Sequence, residues 1–155
     1  MHLSKNFTID ELCKSQLATD CGIENRPDSD EVVENLKLLC EKVLQPVRDH
    51  YSKPVRINSG YRSEQVNMLA RGSKTSDHIL GCAADIEING VPNAELAQWI
   101  ADNLDYTQVI LEFYTPGIPD SGWVHVSYNP ANLKKQNLTA AKVEGKTKYM
   151  DGFIA

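Results

Sequence analysis

The chain has 155 residues, of which 41% are hydrophobic and 24% are charged, and its formal net charge is -5. This length suits one domain with a single core and excludes a second full domain. The acidic balance argues against nucleic acid or anionic lipid as a partner, and no apolar stretch approaches the roughly 20 residues of a membrane span.

The first residues and the cysteines bear on where the protein is made. Residues 1–12 lack the basic start and apolar run of a secretory signal, so we expect synthesis in the cytoplasm without a signal peptide. Cys13, Cys21, Cys40 and Cys82 match no CxxC pattern, which favours free thiols. A Cys13–Cys21 bridge remains the alternative if the protein acts outside the cell.

The N-terminal third reads as helical. Thr8 and Glu11 form a capping box, which predicts a helix start. Residues 16–29 are polar and read as a loop. Apolar positions at spacings of three and four then predict a long amphipathic helix over about residues 30–50. Pro46 lies inside it, so the helix is expected to kink there or to end and restart.

The remainder reads mostly as strands. Alternating patterns and turn residues predict two short helices, at about 63–69 and 92–103, and strands at about 54–60, 83–88, 108–114 and 123–128. The order predicts a single α+β domain, with a small antiparallel sheet and helices packed on one side. We expect its core at about residues 30–130, followed by a surface tail, or one further strand, over about 131–155.

Three side chains are candidate metal ligands. His78 precedes the strand that carries Asp85, and His125 lies in a later strand. Two imidazoles and one carboxylate match a catalytic zinc site, which keeps a further position open for water. His125 lies between two valines and faces a cleft if those valines enter the core. By spacing alone, histidines that bind no metal are the more common case.

A set of short motifs narrows this choice. The chain contains the motifs SGYRS at 59–63, SDHILGCAAD at 76–85 and WVHVS at 123–127, with Asn67 and Gly72 between the first two. In this order they resemble the M15 peptidase family, which contains zinc D-Ala-D-Ala carboxypeptidases, dipeptidases and phage endolysins. The resemblance covers roughly residues 30–130. It implies that His78, Asp85 and His125 hold a zinc ion.

The resemblance also implies roles for two further residues. Arg62 matches an arginine that lies beside the substrate, where a guanidinium can bind a carboxylate or polarise a carbonyl through two hydrogen bonds. Ser76 matches a serine that contacts the substrate, although a serine in this position also commonly caps a loop. Arg62 is therefore expected to be catalytic and substrate-binding, and Ser76 substrate-binding.

The general base departs from the family pattern. Many members carry a glutamate three residues before the last histidine ligand, where this chain has Gly122, and others carry a second histidine where it has Trp123. Glu112 and Asp120 are the nearest acidic alternatives. We favour Glu112, because hairpin pairing can bring it beside His125 on the open side of the sheet, whereas Asp120 lies in a loop rich in proline and glycine.

These observations predict a zinc-dependent peptidase that hydrolyses peptidoglycan stem peptides near D-amino acids, as a carboxypeptidase or an L,D-endopeptidase. A small chain without a leader resembles a phage or prophage lysis enzyme, acting on the cell wall after phage-type release or as a virion component. We expect a monomer. The alternative is a non-catalytic zinc domain that binds the cell wall or belongs to a phage structure, which the absence of a glutamate at position 122 favours.

Overall fold

The computed structural model describes residues 1–154, which form six α-helices, one π-helical turn and eight strands. The helices are α1 (Ile9–Cys13), α2 (Gln16–Asp20), α3 (Asp30–Leu39), α4 (Gln45–Tyr51), α5 (Glu64–Leu69) and α6 (Asn93–Asn103). The strands are β1 (His2–Ser4), β2 (Phe7–Thr8), β3 (Arg56–Ser59), β4 (Ala83–Glu87), β5 (Gln108–Glu112), β6 (Trp123–Ser127), β7 (Gln136–Val143) and β8 (Lys146–Asp151).

The predicted long helix is present, and it accommodates Pro46 without ending. A π-helical turn at Cys40–Leu44 joins α3 to α4. Proline lacks an N–H donor and its ring clashes with the carbonyl four residues earlier. The wider π turn directly before Pro46 relieves that clash. The apolar stripe of this helix is completely buried in the core, at Leu36, Leu39, Val43, Leu44 and Val47.

The main sheet has six strands in the order β3-β4-β6-β5-β7-β8, and a separate two-stranded sheet joins β1 to β2. The α+β prediction is confirmed. All neighbours in the main sheet are antiparallel except β5 and β7, which run parallel. Where we expected a surface tail or one further strand over about 131–155, residues 136–151 add two strands to the sheet.

The two faces of the main sheet differ in chemistry because side chains alternate along each strand. One face enters the hydrophobic core with α3, α4 and α6, and its central residues are Ala84, Ile86, Val109, Leu111, Val124 and Val126. The opposite face carries Asp85, His125 and Glu112, and we call it the site face. Asp85 and Ile110 are the register partners of His125 on either side.

The cysteines and the lengths of the helices complete the description of the fold. Within residues 1–154, each of the four cysteines is a free thiol; three are buried and Cys21 is exposed. The described helices also include none that is long and apolar enough to cross a membrane.

Candidate metal centre and its surroundings

The three predicted ligands come together at the centre of the site face. Asp85 in β4 pairs directly with His125 in β6, and His78 reaches them from the loop before β4. Asp85 Oδ1 lies 3.0 Å from His125 Nδ1 and 3.4 Å from His78 Nε2. One donor atom from each of the three residues lies within 4.8 Å of the others. They form a compact cluster of two nitrogens and one oxygen.

The backbone fixes the orientation of His78. Its Nδ1 lies 2.7 Å from the carbonyl oxygen of Gly60, so that nitrogen carries the proton and donates. The other nitrogen, Nε2, is left with a free lone pair that faces Asp85. A second hydrogen bond, from the Arg62 N–H to the His78 carbonyl at 3.1 Å, holds the loop in place. A hydrogen-bonded outer nitrogen is the usual way that proteins orient a histidine ligand.

Charge is concentrated at this cluster. Asp85 is only 7% exposed, and burial acts to raise its pKa. The interactions of Asp85 with His125 and His78 outweigh burial and hold the pKa of Asp85 well below its usual range. Burial acts to lower the pKa of His125, but the bond to Asp85 raises it overall. A buried carboxylate between two imidazoles is the donor set that zinc prefers, so the residues present fit this metal.

Arg62 lies against the cluster and is held on three sides. Its Nε donates to Ser59 Oγ at 3.0 Å and its Nη1 to Asn67 Oδ1 at 3.2 Å. Its Nη2 lies 3.5 Å from Asp85 Oδ2, the carboxylate oxygen that faces away from the histidines. A Cβ at Gly72 would lie 2.2 Å from Asn67 Oδ1, so a larger residue there would displace the side chain that holds Arg62. Ser59, Asn67 and Gly72, which belong to the sequence motifs, thus hold the Arg62 guanidinium beside Asp85.

Asn67 is a supporting residue that sequence reasoning used only as part of a motif. Its side chain is buried, accepts a hydrogen bond from Arg62 and donates one to the carbonyl of Ser73 at 2.9 Å.

Ser76 lies in the loop before β4, two residues before His78. Its Oγ accepts the His78 N–H at 3.2 Å, which shapes the loop that carries the ligand. Its predicted contact with substrate stays a prediction.

Glu112 lies on the site face, one residue pair away from His125. The register pairs Glu112 with Trp123 and Ile110 with His125, so Glu112 is a diagonal neighbour of the histidine. Trp123 Nε1 donates to Glu112 Oε2 at 2.6 Å. Burial and then the charge of Asp85 raise the pKa of Glu112 above its ordinary value, although His125, Trp123 and Arg62 oppose that shift. A raised pKa suits a carboxylate that must accept a proton.

The backbone explains why position 122 carries no glutamate. Gly122 has a φ of +64°, and a Cβ there would lie 2.0 Å from the carbonyl oxygen of Glu112. No side chain fits without moving the hairpin between β5 and β6. The next residue, Trp123, uses its indole to hold Glu112. Asp120 lies exposed in the loop between these strands.

Comparison with models of known protein families identifies a relationship. The family model described as Peptidase M15 matches residues 5–127. The matched region contains all three candidate ligands as well as Arg62 and Glu112, and it ends with β6. No curated protein sequence matches the chain.

Proposed function

Because this chain belongs to the M15 peptidase family, whose members are metal-dependent, we propose that it is a zinc peptidase that cuts peptidoglycan stem peptides near D-amino acids. The observation that carries the proposal is the convergence of His78, Asp85 and His125 within 4.8 Å. A bound zinc ion would supply a Lewis acid for the scissile carbonyl and for the attacking water.

The residues around the cluster suit the proton transfers of peptide hydrolysis. We assign Glu112 as the general base, which accepts a proton from the attacking water and passes it to the leaving amine. Trp123 keeps the carboxylate facing the cluster through the 2.6 Å hydrogen bond. Arg62 is assigned to oxyanion stabilisation or to binding a substrate carboxylate, with Ser76 as a further substrate contact. Asp85 already holds one edge of that guanidinium.

The biological setting is part of the proposal. We place the protein among phage or prophage enzymes that lyse or remodel the cell wall, acting after phage-type release or as part of the virion. The choice between carboxypeptidase and L,D-endopeptidase depends on which bond is cut. Glu112 on the site face supports turnover over the alternative of a non-catalytic wall-binding domain, because a base is present despite Gly122.

The test is incubation of purified protein with peptidoglycan, followed by mass spectrometry of the released fragments. We expect peptide fragments with new termini next to D-amino acids, and their release should stop with a chelator and return when zinc is added back. Binding to the cell wall without any release, in the presence of saturating zinc, would support the non-catalytic domain instead.

Arg62→Lys should lower kcat/KM by roughly 10–100-fold, the range seen when supporting groups of a metal site are changed. The zinc content should stay at one ion per chain. Lysine keeps the charge, but a single ammonium cannot replace the planar fork that contacts Ser59, Asn67 and Asp85 at once. Arg56→Lys is the matched control, since Arg56 is an exposed arginine on β3. Equal rates for wild type and Arg62→Lys would remove Arg62 from the mechanism.

As the pH is lowered, zinc affinity should begin to fall while the pH is still above the ordinary imidazole pKa of about 6.5. Burial acts to lower the pKa of His125, yet its bond to Asp85 raises it, so a proton competes more strongly for Nδ1 than at a free imidazole. Above that pKa the competition vanishes; below it, each pH unit should weaken apparent affinity about tenfold. Competition titrations between about pH 5 and pH 8 measure this. A constant affinity down to about pH 5.5 would contradict the assignment.

A further inference from the structure

The site face continues beyond the matched family region onto the C-terminal hairpin. Glu112 pairs with Trp123 on one side and with Ala140 on the other, and Ala140 pairs with Tyr149. Register partners share a face, so this row runs from β6 to β8 on the site face. The family match ends at residue 127, before β7 begins. The outer half of the face therefore lies beyond the matched family region.

Aromatic side chains flank this extension. Ala140 is completely buried at its centre, and its register partners on either side are Glu112 and Tyr149, of which Tyr149 is 55% exposed. Burial raises the pKa of Tyr149 and the Glu112 carboxylate raises it further, which places the phenol in the field of the proposed base. On the other side, the rings of Phe113 and Trp123 pack at 5.4 Å between centroids.

One cation borders the same extension. Lys142 follows Ala140 by two residues and so lies on the same face. Its Nζ lies 5.7 Å from the centroid of the Phe113 ring and 3.3 Å from Thr147 Oγ1, and the side chain is otherwise exposed. The inner end of the face carries the carboxylates of Asp85 and Glu112. Charge thus changes from negative to positive along the face.

We infer that Lys142, Phe113 and Tyr149 form a substrate subsite that binds a carboxylate-bearing residue of an extended peptide, about five residues from the scissile bond. The distance follows from the sheet. Lys142 lies two strands, roughly 10 Å, across the sheet from His125 and four residues, roughly 13 Å, along it from Leu138, which shares the row of His125; an extended peptide advances about 3.3 Å per residue. Lys142 pairs with the carboxylate, while Tyr149 and Phe113 contact the peptide between. This subsite rests on the proposed peptidase function and names the acidic peptide that it prefers.

The test uses binding, so that it does not depend on turnover. The probe is a synthetic peptide built on a stem sequence, whose scissile amide is N-methylated to resist cleavage and which carries one carboxylate about five residues away on either side. Its twin carries a carboxamide in place of that carboxylate. Zinc-loaded wild type should bind the acid about fivefold more tightly than the twin, as expected of a partly exposed ion pair. Lys142→Met should abolish that preference. Tyr149→Ala should weaken both peptides several-fold.

Lys148→Met is the matched control, because Lys148 neighbours Tyr149 on the same exposed hairpin but points to the other face. It should retain the preference. Equal binding of the twins by wild type, or the same loss in Lys148→Met, would overturn the subsite. Tighter binding of a sugar fragment that depends on Tyr149 but not on Lys142 would assign the surface to glycan instead. If wild type cleaves natural peptide but binds the acid and its twin equally, the subsite alone is wrong. If wild type prefers the acid but does not cleave natural peptide, the proposed function alone is wrong.

Discussion

Asp85→Asn is expected to weaken zinc binding by two to four orders of magnitude and to abolish turnover at micromolar zinc. Asparagine has the same shape, but it brings a neutral oxygen where the cluster has a buried anion. Removing one partner of a buried charge pair costs about 3–5 kcal/mol, which corresponds to that loss in affinity. Metal analysis of dialysed protein and competition titrations measure it. Near-stoichiometric zinc in the variant would show that the ion is held elsewhere.

The control for Asp85→Asn lies on the same strand. Glu87 is two residues further along β4 on the same face, and there Arg56 and Asn58 bind its carboxylate. Glu87→Gln removes a negative charge from the same strand without touching the three ligands. It should keep full zinc content and activity. Circular dichroism of both variants separates a loss of metal from a loss of fold, since each substitution preserves side-chain volume.

Local patterns predicted the elements that carry the centre. The 3–4 spacing of residues 30–50 indicated the long buried helix, and the alternation in strands β4 and β6 indicated which of their side chains share a face. The alternation around Leu111 likewise placed Glu112 opposite to the core, and Leu111 is completely buried in the structure. These predictions succeeded because each depends on a period within one segment.

Features that depend on pairing between distant segments were not predictable in this way. The sequence left open whether Glu112 opposes His125 or lies next to it, and the register makes Trp123 its partner. The alternation of β5 would direct Phe113 into the core, yet its φ of +55° turns it out of the strand and against Trp123. A one-residue change in register would have reversed both faces.

The C-terminal hairpin was missed for a related reason. Residues 136–151 are rich in lysine and threonine, and their hydrophobic alternation is weak. Their place in the sheet depends on parallel pairing of β7 with β5, across 23 intervening residues between Glu112 and Gln136. The local signal was the turn at Glu144–Gly145, where both residues have positive φ, as two-residue hairpin turns require.

Glu112→Gln is expected to lower kcat by roughly 10²–10⁴-fold, the usual contribution of a general base, while zinc and peptide binding stay normal. Glutamine can still accept the hydrogen bond from Trp123 Nε1, so the geometry is kept and only the ability to take a proton is lost. Asp120→Asn is the control, because Asp120 is exposed in the loop before β6. It should change kcat less than twofold, within the scatter of surface substitutions.

The pattern across these two variants decides which carboxylate acts. A large loss in Asp120→Asn with normal turnover in Glu112→Gln would move the base to the loop, and normal turnover in both would leave hydrolysis without a carboxylate base. The structure favours Glu112 on physical grounds. It lies on a paired strand, its carboxylate is held by the indole of Trp123, and burial and the charge of Asp85 raise its pKa. The Gly122 backbone also leaves no space for a side chain at the alternative position, since a Cβ there would meet the carbonyl of Glu112 at 2.0 Å. We therefore propose that the Glu112 side chain supplies the carboxylate that Gly122 cannot.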